Sequence, residues 1–190
     1  MSTWSNANRN FTAQSKGIVT ASFDFLEYGD NNKIGSAEFI LRGTNADNEL
    51  KEMIKVIAER DQTFKIGDKS IGDLVLDMDV WYNVSIELNF FTGKAKVSVY
   101  PYTEYDSAEG KYIISENGAE AETDFDKSYL LRGIRFVRNG GTMKYYDNVS
   151  VSAERNESYV KENNGKMDVF AMEDAKIYVA WYDKLSLIHI

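Results

Sequence analysis

The stretch VWYNVSIELNFFTGKAKVSVYPY, residues 80–102, alternates apolar and polar side chains on both sides of a Thr92-Gly93 pair. Period-two alternation is typical of a β-strand that buries one face, and a short connection containing glycine favours a tight hairpin. The inward positions are Tyr82, Val84, Ile86, Leu88, Ala95, Val97 and Val99. This stretch therefore predicts two antiparallel strands that share one buried face.

Other parts of the chain show the same alternation. Further strands are predicted at residues 18–25 (IVTASFDF), 37–42 (AEFILR), 133–140 (GIRFVRNG) and 143–153 (MKYYDNVSVSA). Residues 50–60 fit either a helical stripe or a strand face, and the frequent β-branched residues favour a strand. About nine short strands, with turns between them and one proline in the chain, predict an all-β sandwich.

Three segments resemble a known family. They are Phe23-Asp24-Phe25, the strand Trp81-Tyr82-Asn83-Val84-Ser85-Ile86, and the closing strand Tyr145-Tyr146-Asp147-Asn148-Val149-Ser150-Val151. Over residues 17–153 the chain resembles the concanavalin A-like, laminin-G-like jelly rolls of bacterial secreted polysaccharide-active and surface proteins. The resemblance implies an antiparallel jelly-roll β-sandwich. It also implies an N-terminal strand near the closing strand, but only 16 residues precede Gly17, so we expect that edge to be missing or abbreviated.

The chain is predicted to divide into a jelly roll and a short appendage. The jelly roll is expected at residues 1–153, a linker at 154–166, and a short β segment at 167–190 that begins a following, truncated module. The N-terminus is polar and lacks the apolar segment of a signal peptide. Either an upstream segment is missing, or the chain is complete as written. The resemblance implies an extracellular or cell-surface location.

The composition excludes several kinds of site. The chain has no cysteine, so disulfides, Cys-ligated metals and thiol catalysis are excluded. A single histidine, His189, argues against multi-His metal sites and a Ser-His-Asp triad. The net charge of −8 argues against nucleic-acid binding. The sequence has no run of about 18 apolar residues, so a membrane-spanning segment is not predicted.

The sequence does not predict an enzyme. Jelly-roll glycoside hydrolases use two carboxylates that flank the scissile bond, usually on an alternating Glu-x-Asp-x-x-Glu strand. The residues Glu104-Tyr105-Asp106-Ser107-Ala108-Glu109 have this spacing, but they fall in a stretch that is interpreted as a polar loop and not as a strand. The other acidic alternation, Asp77-Met78-Asp79, is interpreted as a solvated loop. A glycoside hydrolase or lyase of the same fold is the less favoured alternative.

Sugar recognition is the favoured chemistry. Sugars present apolar C–H faces and a rim of hydroxyls, which aromatic rings and amide, carboxylate or guanidinium groups bind. The candidate sugar-binding residues, assigned to one outward face, are Tyr100, Tyr102, Tyr105, Asn83 and Arg135. The alternative is that the outward tyrosines are ordinary surface residues of strands, where tyrosine is common. Trp81 is interpreted mainly as a packing residue.

A structural calcium ion is a second candidate. Ca²⁺ prefers six to eight oxygen ligands, and the opening and closing strands of a sandwich often pair. The candidate metal ligands are Asp24, Asp147 and Asn148. The alternative is that Asp147 and Asn148 bond to neighbouring backbone.

The sequence as a whole predicts a non-catalytic carbohydrate-binding module, covalently linked to neighbouring domains of a larger protein. The expected partner is a polysaccharide of plant cell-wall type. The competing hypothesis is a structural spacer or adhesion domain that binds no glycan.

Overall fold

The computed structural model describes residues 4–29, 35–109, 111–154, 159–163 and 166–170. Every regular element in this part of the chain is a β-strand. The chain separates into two compact units, Met1–Glu154 and Arg155–Ile190. Among the described residues there is no helix that could span a bilayer.

The first unit contains twelve strands. They are β1 (Trp4–Gln14), β2 (Ile18–Tyr28), β3 (Ser36–Thr44), β4 (Leu50–Ala58), β5 (Thr63–Ile66), β6 (Lys69–Val75), β7 (Trp81–Asn89), β8 (Lys94–Asp106), β9 (Lys111–Ile114), β10 (Ala119–Asp124), β11 (Leu130–Asn139) and β12 (Met143–Glu154). Sheet 1 has the order β1-β11-β3-β4-β5-β6, and sheet 2 has the order β10-β8-β7-β2-β12 with β9 beside β8. All neighbouring strands are antiparallel. The predicted antiparallel β-sandwich of jelly-roll type is confirmed.

The predicted hairpin at residues 80–102 forms the centre of sheet 2. β7 and β8 pair in register, with Val84 opposite Val99. Gly93 makes the turn with a φ of 74° and donates its N–H to the carbonyl of Asn89 at 2.8 Å. A φ in this range suits glycine because it has no Cβ. The strand interpretation of residues 50–60 is also confirmed, since Ile54, Val56 and Ala58 of β4 are buried.

The core between the sheets is built on aromatic rings. The rings of Phe23 and Phe39 lie 4.8 Å apart between centroids, and Phe136 lies 5.1 Å from Phe23 and 4.6 Å from Tyr146. Such tilted and edge-on pairs add about 0.5–1.5 kcal/mol each beyond the burial of their apolar area. These rings join the opening, closing and central strands into one core.

The prediction that the N-terminal edge strand is missing or abbreviated is wrong. β1 has 11 residues and pairs with β11 at the edge of sheet 1. Ser5 to Asn10 are exposed on both faces, so they show no apolar alternation, although their backbone completes the ladder. Phe11 packs against the core and holds the strand in place.

A buried ion pair lies between β2 and β12. Lys144 is the cross-strand partner of Glu27, and both side chains are 1% exposed. The Lys144 ammonium and the Thr142 hydroxyl both donate to the Glu27 carboxylate. Burial lowers the pKa of Lys144, and the Glu27 carboxylate opposes that shift. The pair therefore satisfies two charges that would otherwise be buried without a partner.

The second unit contains one described hairpin, in which β13 (Tyr159–Asn163) pairs with β14 (Lys166–Phe170). β13 lies inside the range that the sequence predicts as a linker. The polar stretch around it carries no alternation signal. Residues 171–190 of the predicted β segment at 167–190, together with His189, lie outside the described residues.

Candidate functional site

The outer face of sheet 2 is the side of its strands that is turned away from the core. Because the side-chain period of a strand is two, the residues between the buried positions of β7 and β8 point to this face. They include Asn83, Ser85, Glu87, Lys96, Ser98, Tyr100 and Tyr102. Sheet 2 therefore presents a polar and aromatic surface, as the parity of the sequence predicts.

A row of four serines crosses this face. Ser98, Ser85, Ser22 and Ser150 are successive cross-strand partners on β8, β7, β2 and β12. The hydroxyls of Ser22 and Ser150 are hydrogen bonded at 2.8 Å. With strands about 4.8 Å apart, the row extends over roughly 14 Å. Short side chains leave this row lower than its neighbours and line it with hydroxyls.

Asp24 organises the next row. It is 5% exposed and accepts three hydrogen bonds: from Asn83 Nδ2 at 3.0 Å, from the Tyr102 hydroxyl at 2.8 Å and from Asn148 Nδ2 at 2.6 Å. Asn148 reaches Asp24 from an irregularity in β12, where its φ is 48°. Two residues predicted to bind sugar and two predicted to bind metal thus form one hydrogen-bonded cluster.

The Tyr102 hydroxyl is held by this cluster. Burial, with the hydrogen bond to Asp24 as the second cause, raises the pKa of Tyr102 to about 12. Burial also raises the pKa values of Tyr82 and Tyr146. These three phenols therefore remain protonated throughout the ordinary pH range.

These raised pKa values predict that the folded protein loses stability at alkaline pH. Tyrosines of the unfolded chain titrate near pH 10, so the folded chain retains protons that the unfolded chain loses. The stabilisation is complete below about pH 10 and declines as the pH rises towards about 12. The urea midpoint should be lower at about pH 11.5 than at about pH 9, and Tyr102→Phe and Tyr146→Phe should each reduce the difference. Equal midpoints at the two pH values would contradict this account.

An aromatic cleft lies at one end of the outer face, beyond the Asp24 cluster. Its volume is about 430 Å³, within the range of small-molecule sites. Its lining residues are Leu26, Tyr28, Asp79, Val80, Trp81, Tyr102, Thr103, Glu104 and Tyr112. The rings of Tyr102 and Tyr112 are 5.7 Å apart between centroids. We call this the aromatic cleft.

Tyr100 takes a different position from Tyr102. Its hydroxyl donates to Glu120 at 3.0 Å, and Glu120 also pairs with Lys96 at 2.8 Å. A Cβ at Gly118 would meet the Tyr100 ring at 2.0 Å, so the backbone at Gly118 covers part of that ring. Tyr100 is thus packed and hydrogen bonded at the edge of the face, and it does not line the aromatic cleft.

The grouping of Arg135 with the outward tyrosines is wrong. Arg135 lies in β11 of sheet 1, opposite Ile40 and Asn8, and is therefore on the other side of the sandwich. The alternation of apolar and polar residues places the Arg135 side chain on an outer face, but it does not show which sheet the strand joins. Tyr105 lies in β8 with Tyr112 as its backbone partner, and its side chain lies outside the described residues.

The candidate calcium ligands lie close together but present few free oxygens. Asp147 is the cross-strand partner of Asp24 and accepts the backbone N–H of Asn148 at 2.8 Å, while Asn148 donates its amide N–H to Asp24. The described residues hold no group of three or more acidic or histidine side chains that could bind a metal. This arrangement fits a hydrogen-bonded carboxylate better than a cation site. Calcium binding stays a prediction, which melting temperatures in chelator and in calcium would test.

Sequence reasoning missed most of the aromatic cleft. Trp81, interpreted as a packing residue, is partly exposed and lines it. Tyr112 and Glu104 enter the cleft because β9 pairs with the end of β8. The alternation of a strand does not show which strand pairs with it, so the pairing of β9 with β8 could not be predicted from the sequence.

No protein-family model matches the sequence, and the curated proteins contain no match to it. Solved structures do match. A sialidase aligns with 80% of this chain and 14% of its own at 13% identity, with a TM-score of 0.55. A family 7 alginate lyase, A1-II′, aligns with 74% of this chain and 64% of its own at 13% identity, with a TM-score of 0.50. Lectin II from Ulex europaeus aligns at 12% identity over 77% of this chain and 83% of its own, with a TM-score of 0.43.

This chain thus spans less than two thirds of either the sialidase or the alginate lyase. At such low identity the similarity concerns the fold and not the activity. The chain has an antiparallel jelly-roll β-sandwich fold, which it shares with parts of the sialidase and the alginate lyase.

Proposed function

We propose that this domain is a non-catalytic carbohydrate-binding module of a larger secreted or cell-surface protein, and that it binds a polysaccharide at the aromatic cleft. The observation that carries the proposal is the lining of this cleft. Trp81, Tyr102 and Tyr112 offer ring surfaces beside the carboxylates of Asp79 and Glu104. Rings that can pack on C–H faces, next to acceptors for hydroxyls, are what a sugar requires.

The support around the cleft favours a preformed site. The Tyr102 hydroxyl is fixed by Asp24, which is itself held by Asn83 and Asn148. A side chain ordered before binding loses little conformational entropy when the ligand arrives. The serine row adjoins this cluster on the same face and could extend the contact along a chain of sugars. With few contacts in an open cleft, we expect modest affinity.

The exposure of the cleft carboxylates supports a non-catalytic role. A glycoside hydrolase needs a carboxyl group that stays protonated, and such groups are kept in apolar surroundings. Asp79 and Glu104 are both exposed. We therefore expect no hydrolytic release of reducing ends from a polysaccharide panel. The proposal also expects no unsaturated products, and release of either kind would overturn this part of it.

Removing either of two cleft rings should weaken retention on polysaccharide. Trp81→Ala and Tyr112→Ala should each weaken binding at least about tenfold, which corresponds to about 1.4 kcal/mol, because each deletes a stacking surface. The measurement is affinity gel electrophoresis over neutral, acidic and amino polysaccharides, including those of plant cell walls. Phe91→Ala is the control, since Phe91 is an exposed aromatic residue at the β7–β8 turn, outside the aromatic cleft.

Two results would contradict the proposal. If the folded wild-type domain is retained by no polysaccharide, the spacer hypothesis is favoured. If Phe91→Ala weakens binding as much as Trp81→Ala does, binding occurs elsewhere on the surface.

A further inference from the structure

We infer that the aromatic cleft selects glycans that carry free, protonated amino groups and rejects glycans built from uronic acids. This inference rests on the proposed function and specifies its substrate class. The observation behind it is charge: Asp79 and Glu104 line the cleft, and none of its nine described lining residues is Lys, Arg or His.

Neither of these carboxylates is neutralised by a described side chain. Glu104 is exposed in β8, and none of the ion pairs between described residues involves it or Asp79. The Asp79 carboxylate accepts one long hydrogen bond, from the backbone N–H of Gly29 at 3.4 Å. Both carboxylates can therefore receive hydrogen bonds from a ligand.

A third carboxylate adds to the negative charge. Asp24 lies beneath Tyr102, and its donors are a phenol and two amides, all of which are neutral. Its charge is thus hydrogen bonded but not cancelled. An ammonium group in the cleft would meet this negative potential together with the faces of aromatic rings, which also attract cations.

The cationic side chains that the structure describes on this face are engaged elsewhere. Lys96 pairs with Glu120 at 2.8 Å, and Lys94 pairs with Asp124 at 2.6 Å. Arg135 lies on the other sheet. A uronic acid in the cleft would therefore face like charges with no described cation to offset them, whereas a neutral sugar would be tolerated.

The test uses three oligosaccharides of matched length, made of glucosamine, N-acetylglucosamine or galacturonic acid, titrated calorimetrically into the whole chain at about pH 6, where carboxylates are ionised. At low salt the glucosamine oligomer should bind at least about fivefold more tightly than the N-acetylated one, and the difference should shrink at high salt because ions screen it. The galacturonic acid oligomer should not bind.

Matched variants locate the effect. Glu104→Gln and Asp79→Asn should each lower the ratio of the two affinities, glucosamine oligomer to N-acetylated oligomer, because each removes a negative charge and keeps an oxygen acceptor. Asparagine suits position 79 because the φ there is 64°, a conformation that it tolerates. Glu122→Gln should change nothing, since Glu122 lies opposite Lys96 on β10, about 20 Å along β8 from Tyr102.

The outcomes separate this inference from the proposed function. Equal affinity for the charged and N-acetylated oligomers would overturn the inference and leave the proposed function standing. Tighter binding of galacturonic acid would also overturn the inference. If an oligolysine peptide binds but no oligosaccharide or polysaccharide does, both are overturned.

Discussion

Replacing Lys144 by methionine should lower the free energy of unfolding by about 3–5 kcal/mol, because it leaves the Glu27 carboxylate buried without its ionic partner. Methionine has a similar length, so the change removes the charge while much of the packing remains. The Thr142 hydroxyl still donates to Glu27, but a hydroxyl does not neutralise a carboxylate. Urea denaturation at neutral pH, followed by circular dichroism, measures the effect.

The double variant Glu27→Gln, Lys144→Met is the control. It removes both charges together, so it should recover most of the loss, since replacing a buried pair often costs little. A loss below about 1 kcal/mol in the single variant would show that the pair is not shielded from water as its 1% exposure implies.

Replacing Asp24 by alanine should have the second largest effect, and it should act on both stability and binding. Tyr102, Asn83 and Asn148 would lose their common acceptor. Water can reach these donors in part, so we expect a loss of about 2–3 kcal/mol in the free energy of unfolding. Binding should weaken at least about tenfold because Tyr102 is no longer fixed over the aromatic cleft.

Tyr102→Phe separates the two roles of Asp24. It keeps the ring and deletes one of the three donors, so stability should fall by only about 1 kcal/mol. Binding should be weakened less than by Asp24→Ala. If Asp24→Ala leaves polysaccharide binding intact in a folded protein, the cluster does not position the site.

The sequence indicated the inward and outward faces of the central strands well. The alternation from Tyr82 to Leu88 and from Ala95 to Val99 matches the buried positions of β7 and β8. This was possible because a half-buried strand imposes a period of two on its own sequence. The edge strand β1 is exposed on both faces over Ser5 to Asn10, and for that reason it left no such pattern.

The candidate site could be predicted only in part, because parity does not report which strands are neighbours. Tyr102 was placed on the correct face, and so was Tyr100, but only the pairing with β9 and β10 shows that one lines the cleft and the other is packed. Arg135 was outward but in the other sheet. Asp24 is predicted as a metal ligand, which stays a prediction, and the structure also places three hydrogen-bond donors around it. A sequence alone does not distinguish a carboxylate that binds a metal ion from one that accepts hydrogen bonds from neighbouring side chains.

The most direct test of the aromatic cleft is an NMR titration of the ¹⁵N-labelled chain with an oligosaccharide from the best-retained polysaccharide. We expect saturable shifts of the Trp81 indole N–H and of the backbone amides of Thr103 and Tyr112, with Phe91 and Arg135 unchanged. Shifts confined to Arg135 and its neighbours on sheet 1, or no shifts at saturating ligand, would contradict it.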